Sequence, residues 1–99
     1  MPRPARLTDD EIARRLEALT GWRAERGKLQ KTFLFKDFVT AFAFMSEVAR
    51  EAEALQHHPE WFNVYNRVSL DLVTHDAKGI TELDFQLAAR AQALAERHA

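Results

Sequence analysis

Two short runs carry the side chains that could do chemistry: His57-His58-Pro59-Glu60-Trp61 and Thr74-His75-Asp76. Together they gather three of the four histidines into nineteen positions, in a chain without cysteine. Imidazole exchanges protons near neutrality, with an unperturbed pKa of about 6.5. Set beside a carboxylate and a tryptophan that can stack on a planar ring, it suits acid–base work on a flat substrate. A metal site is the natural rival. Against it, adjacent side chains point in different directions, and there is neither an HExxH motif nor a second histidine at i+4. A structural cluster is the third reading. His98, one residue from the last position, reads as structural. From spacing alone, catalysis and structure both stay open for His57, His58 and His75.

The elements around these runs must bring them together. Asp37 can N-cap a long helix that has to end before Pro59. Phe38, Phe42, Met45, Ala49 and Ala52 recur at helical spacing, flanked by Val39, Ala41, Val48 and Leu55, and are expected to be its core stripe. His57 and His58 then fall at its C-terminal end, where the helix dipole favours positive charge. Glu53, four residues before His57, should share its face and orient an imidazole. Trp61 to Tyr65 and Arg67 to Thr74 read as a hairpin about Tyr65-Asn66, with Asn63 and Asn66 as turn residues and Val68, Leu70 and Leu72 on one face. This delivers Val73, Thr74, His75 and Asp76 to a strand end beside the helix end, a natural cleft. The last helix starts at Thr81, with Asp84 at its third position and Ile80 stapled to Phe85. Leu83, Leu87, Ala91 and Leu94 form its stripe, up to about Arg97. Asp84 is a further acid that can face the cleft.

Upstream, Thr8 and Glu11 form a capping box with a Leu7–Ile12 staple. Ile12, Leu16 and Leu19 mark one helical face, and Thr20-Gly21 stops the helix. Trp22 to Glu25 and Leu29 to Phe35 read as strands joined at Arg26-Gly27-Lys28, with residues 1 to 6 a loose tail. The order is αββαββα. It implies an α+β fold over a single domain, residues 1–99: a four-stranded antiparallel sheet with three helices packed on one face. Such a sheet leaves an edge and a face uncovered, and a homodimer or dimer of dimers would cover them. The net charge of -1 provides no field for nucleic acid or an anionic membrane. The absence of cysteine excludes a disulfide framework and fits the cytoplasm. Nothing in the chain reads as a signal peptide or a membrane span.

Glu53, His57-His58-Pro59, Tyr65, His75 and Asp84, in that spacing, resemble the pterin-4a-carbinolamine dehydratases, also called 4a-hydroxytetrahydrobiopterin dehydratases. The run His57 to Asn66, Phe35-Lys36-Asp37-Phe38 and Thr74-His75-Asp76 extend the resemblance over nearly the whole chain. Gln56 stands where many members have Asp, and Asp76 where many have Glu. The resemblance implies a lyase that removes water from 4a-hydroxytetrahydropterin, the adduct left by aromatic amino-acid hydroxylases, to give quinonoid dihydropterin for recycling. It implies no metal and no cofactor. His57, His58 and His75 would move protons and Glu53 would orient them. Gln56, Trp61, Val73, Thr74 and Asp76, with the three histidines, would hold the pterin. Other members serve as dimerisation or assembly partners, so a non-catalytic role, or action on another pterin such as a molybdopterin-pathway compound, is the alternative. Histidines acting from a cleft should carry little of the core, so their loss should leave stability nearly unchanged.

Overall fold

The computed structural model of the chain describes residues 4–99. The order runs α1 (Asp9–Leu16), β1 (Arg23–Glu25), β2 (Lys28–Leu34), α2 (Phe38–Leu55), β3 (Glu60–Val64), β4 (Arg67–Leu72), a single 3₁₀ turn over His75–Ala77, and α3 (Glu82–Arg97). The strands form one antiparallel sheet in the order β1-β2-β4-β3, so β4 lies between β2 and β3 and the edges are β1 and β3. The helices lie on one face, as the sequence implies.

Local signals explain most element ends. Thr8 caps α1 in a full capping box with Glu11, and Thr81 does the same for α3 with Asp84. Asp37 accepts a hydrogen bond from the Thr40 N–H at the start of α2. The first hairpin turns on Arg26 and Gly27, both in the left-handed region, between the register partners Glu25 and Lys28. Positive φ at both central residues is the turn whose twist matches paired strands. Of the tail expected to be loose, residues 1–3 lie outside the described residues. Arg6 lies across Gly79, where an added Cβ would come within 2.3 Å of its Cδ.

Register sets the two sheet faces. Leu29, Phe33, Val68, Leu70 and Leu72 point to the helices and are buried. Phe44 of α2 packs on Phe33 and Phe35 with ring centroids 5.0 and 4.9 Å away, and such pairs contribute about 0.5–1.5 kcal/mol each beyond area burial. The opposite face carries Thr32 hydrogen-bonded to Ser69 at 2.9 Å, with Leu34 and Phe62 exposed.

One expectation fails here. The buried face of α2 is Ala41, Phe44, Val48 and Ala52. Phe38, Phe42 and Val39 are exposed, and Phe38 and Phe42 lie against each other at 5.9 Å. The helix is apolar on two faces. Phe44 is the one aromatic of the helix that goes inward, between the smaller Ala41, Val48 and Ala52, and the Phe38–Phe42 stripe is left outside.

Candidate active site

The end of α2 decides where the histidines go. Gln56 adopts the left-handed conformation (φ 53°), and its N–H and that of His57 turn back to carbonyls in the last helical turn. This is the usual closure of a helix C-terminus, here made without glycine. The helix therefore stops two residues before His57, and the helical spacing that would align Glu53 with His57 does not apply. Glu53 meets His58 instead: His58 Nε2 lies 2.8 Å from Glu53 Oε1, with both side chains well exposed.

His57 turns inward and is 5 % exposed. Its Nε2 lies 2.5 Å from Oδ1 of Asp84, which is fully buried. The other carboxylate oxygen, Oδ2, accepts from the Thr74 hydroxyl and the Thr81 N–H, each at 2.9 Å. The Thr74 and Thr81 hydroxyls are themselves 2.7 Å apart. One acid thus completes the capping box of α3, holds the end of the β4 segment and grips an imidazole 27 residues away. This overturns the expectation that the histidines stand apart from the core. His57 is part of it.

His75 sits on a loop closed by the Thr74–Gly79 bridge, with backbone hydrogen bonds of 3.0 and 3.3 Å. Its Nε2 lies 3.2 Å from Glu60 Oε2, and Glu60 Oε1 takes Lys28 Nζ at 2.5 Å. The hydrogen bond from Lys28 holds the Glu60 carboxyl below the usual carboxylate range, with the Lys28 and His75 charges adding to it. The pairing of Glu60 with His75 was not expected from the sequence. The place of Glu60 in the histidine run was the available signal, but its link to His75 depends on how β3 and β4 pair.

His57, His58, Val73, Thr74, His75 and Asp76 line a cavity of about 180 Å³. That is smaller than the roughly 300–1,000 Å³ common for drug-sized ligands, and suits a small flat one. Gln56 and Trp61 are not in its wall. Gln56 bonds the Glu53 carbonyl, and Trp61 faces the helix side of β3 opposite Leu70 and packs on the core. A larger hollow of about 450 Å³ lies near Lys36, Thr40 and His98. His98 there pairs with Glu47 and stands edge-on to Phe35, a structural tie. The smaller cavity has the chemistry: three imidazoles, each bound to its own carboxylate. Among the described residues, no group of three or more His, Cys, Asp or Glu is arranged to hold a metal ion, and no helix is long and apolar enough to cross a membrane.

The family model for pterin 4 alpha carbinolamine dehydratase matches residues 5–94. The chain belongs to this family. A protein of Solibacter usitatus, provisionally named a pterin-4-alpha-carbinolamine dehydratase, is 53% identical over 91% of this chain and 95% of its own. One of Sinorhizobium medicae with the same provisional name is 52% identical over 95% and 91%. A crystal structure from Brucella melitensis, described as a transcriptional coactivator/pterin dehydratase, superposes with a TM-score of 0.88 at 50% identity, covering 91% of this chain and 98% of that one. The resemblance seen in the sequence is thus confirmed at the level of the family.

Proposed function

We propose that this chain removes water from a 4a-hydroxytetrahydropterin by histidine acid–base catalysis, giving the quinonoid dihydropterin. The cavity walled by His57, His58 and His75 carries this reading, and family membership supports the substrate class. Hydroxide leaves poorly, so an acid must protonate the C4a oxygen as the C4a–O bond breaks. A base must take the N5 proton, whose electron pair forms the C4a=N5 bond. Water departs and the proton count balances. Positioned groups of this kind each contribute on the order of a hundredfold to ten-thousandfold.

His57, held by Asp84, provides a fixed proton-transfer group. His58, tethered to exposed Glu53, provides an adjustable one on the same side. His75, tethered to Glu60, closes the cavity from the loop and binds or exchanges protons with the ring. Val73, Thr74 and Asp76 border the ring. The product would pass to a reductase, and the substrate would come from an aromatic amino-acid hydroxylase in the cytoplasm. Exposed Phe38, Val39 and Phe42 on α2, and Phe62 and Val64 on edge strand β3, favour a homodimer or dimer of dimers. Light scattering at micromolar protein tests the oligomer, and a monomer mass would contradict it. Dehydration of synthetic 4a-hydroxytetrahydropterin, with and without EDTA, tests the activity. Acceleration in both is expected. Loss on chelation with return on adding zinc would move the reading to a metal site.

A further inference from the structure

The polar cluster behind His57 determines where protons sit. Leu83 N–H donates to Thr81 Oγ1 at 3.2 Å. The Thr81 hydroxyl, being thus an acceptor there, has its own hydrogen for Thr74 Oγ1 at 2.7 Å. The Thr74 hydroxyl passes its hydrogen to Asp84 Oδ2. Oδ2 also receives the Thr81 N–H, so it is filled by two donors. Only Oδ1 remains, and it faces only His57 Nε2. At 2.5 Å a hydrogen must lie between Oδ1 and Nε2, and the two donors on Oδ2 favour the carboxylate in its charged form. The hydrogen between Oδ1 and Nε2 therefore belongs to the ring.

We propose that Asp84, locked by Thr74 and Thr81, holds His57 with Nε2 always protonated, making Nδ1 the nitrogen that exchanges protons with the substrate. Nδ1 has no protein partner among the described residues. Every sealed polar side-chain atom there has one. Nδ1 is therefore not sealed, and His57 forms part of the cavity wall. With Nε2–H fixed, Nδ1 accepts a proton when the ring is neutral and donates one when it is charged. One nitrogen thus serves as base or acid without any ring flip. Asp84 never touches substrate. It is a positioning residue, and Thr74 and Thr81 orient it in turn.

Only the turnover part of the test rests on the proposed dehydration; the tautomer does not. Nitrogen NMR of histidine-labelled protein, recorded where imidazoles are neutral, reads each ring nitrogen directly. The wild type should show His57 with a protonated Nε2 and a bare Nδ1. A bare Nε2 overturns the proposal. Asp84→Asn sharpens the test. The Asn oxygen must take the Thr81 N–H and Thr74 hydroxyl, which turns its NH₂ toward Nε2 and forces the opposite tautomer. His57 should then show a protonated Nδ1, with turnover at least about a hundredfold lower. An unchanged tautomer in this variant contradicts the assignment. If the variant does not fold, the wild-type spectrum decides alone. If the wild type shows the expected tautomer but does not dehydrate the pterin, the function reading fails and the proton assignment stands.

Discussion

His57 and His58 are neighbours in the chain, and each holds a carboxylate through Nε2. The first pair is sealed between α2 and α3; the second lies in solvent with 62% and 72% of its side chains exposed. Burial changes what the same contact does. A buried charge must be matched, so Asp84 is met by three donors and cannot lose one cheaply. The exposed pair trades water for a partner at little net gain and is screened by salt. The site therefore combines one imidazole fixed by the core with two, His58 and His75, held by surface tethers. A rigid group sets geometry, and tethered groups can follow a substrate that enters and leaves.

The largest expected effect breaks the buried side of this comparison. His57→Ala leaves Asp84 without a cationic or N–H partner on Oδ1, and should cost about 3–5 kcal/mol of stability by urea unfolding. His57→Gln, whose amide can still donate to Asp84, should recover most of that loss and yet remain inactive. An unchanged unfolding midpoint in His57→Ala would mean that the buried pair carries no stability. Next comes His58→Ala. Turnover should fall at least about tenfold, while stability stays within roughly 0.5 kcal/mol. Equal stability losses in the two alanine variants would erase the distinction between the sites. His98→Ala serves as the control for turnover, which it should leave unchanged.

Smaller effects sharpen the exposed side. Glu53→Gln keeps a hydrogen-bonding group beside His58 but removes its charge. Turnover should drop less than in His58→Ala, and its dependence on salt should weaken. Lys28→Ala should let the Glu60 carboxyl rise toward its ordinary range, read by NMR titration, because Lys28 is the main cause of its lowering. Since the folded value is the lower one, Glu60 contributes stability above its unfolded value and loses it as pH falls through the folded value. Lys28→Ala should flatten that acid limb. A Glu60 titration that does not move would assign the lowering to His75.

These contrasts also show what could be read in the sequence. Caps and turns were legible because their signals are local: Thr8 with Glu11, Thr81 with Asp84, Asp37, Arg26-Gly27. The strand faces followed from alternation. The inward face of α2 was not legible, because Phe38 and Phe42 compete with Ala41, Phe44 and Val48 on a helix that is apolar on two sides. Pairing Glu53 with His57 failed for a related reason. The left-handed turn at Gln56 carries no glycine to announce it, and one residue at positive φ rotates all that follows out of helical phase. Asp84 was legible as a cap. Its grip on His57 was not, since that contact exists only once α3 has packed against the end of α2.

These histidines are proposed to move protons in the removal of water from a 4a-hydroxytetrahydropterin. The most direct measurement follows the formation of quinonoid dihydropterin from the synthetic adduct, in parallel for the wild type, His57→Gln and His58→Ala, each first shown to be folded. Rapid dehydration by the wild type and at least about tenfold slower turnover in both variants are expected. Full turnover by both folded variants, or none by the wild type, would contradict that role.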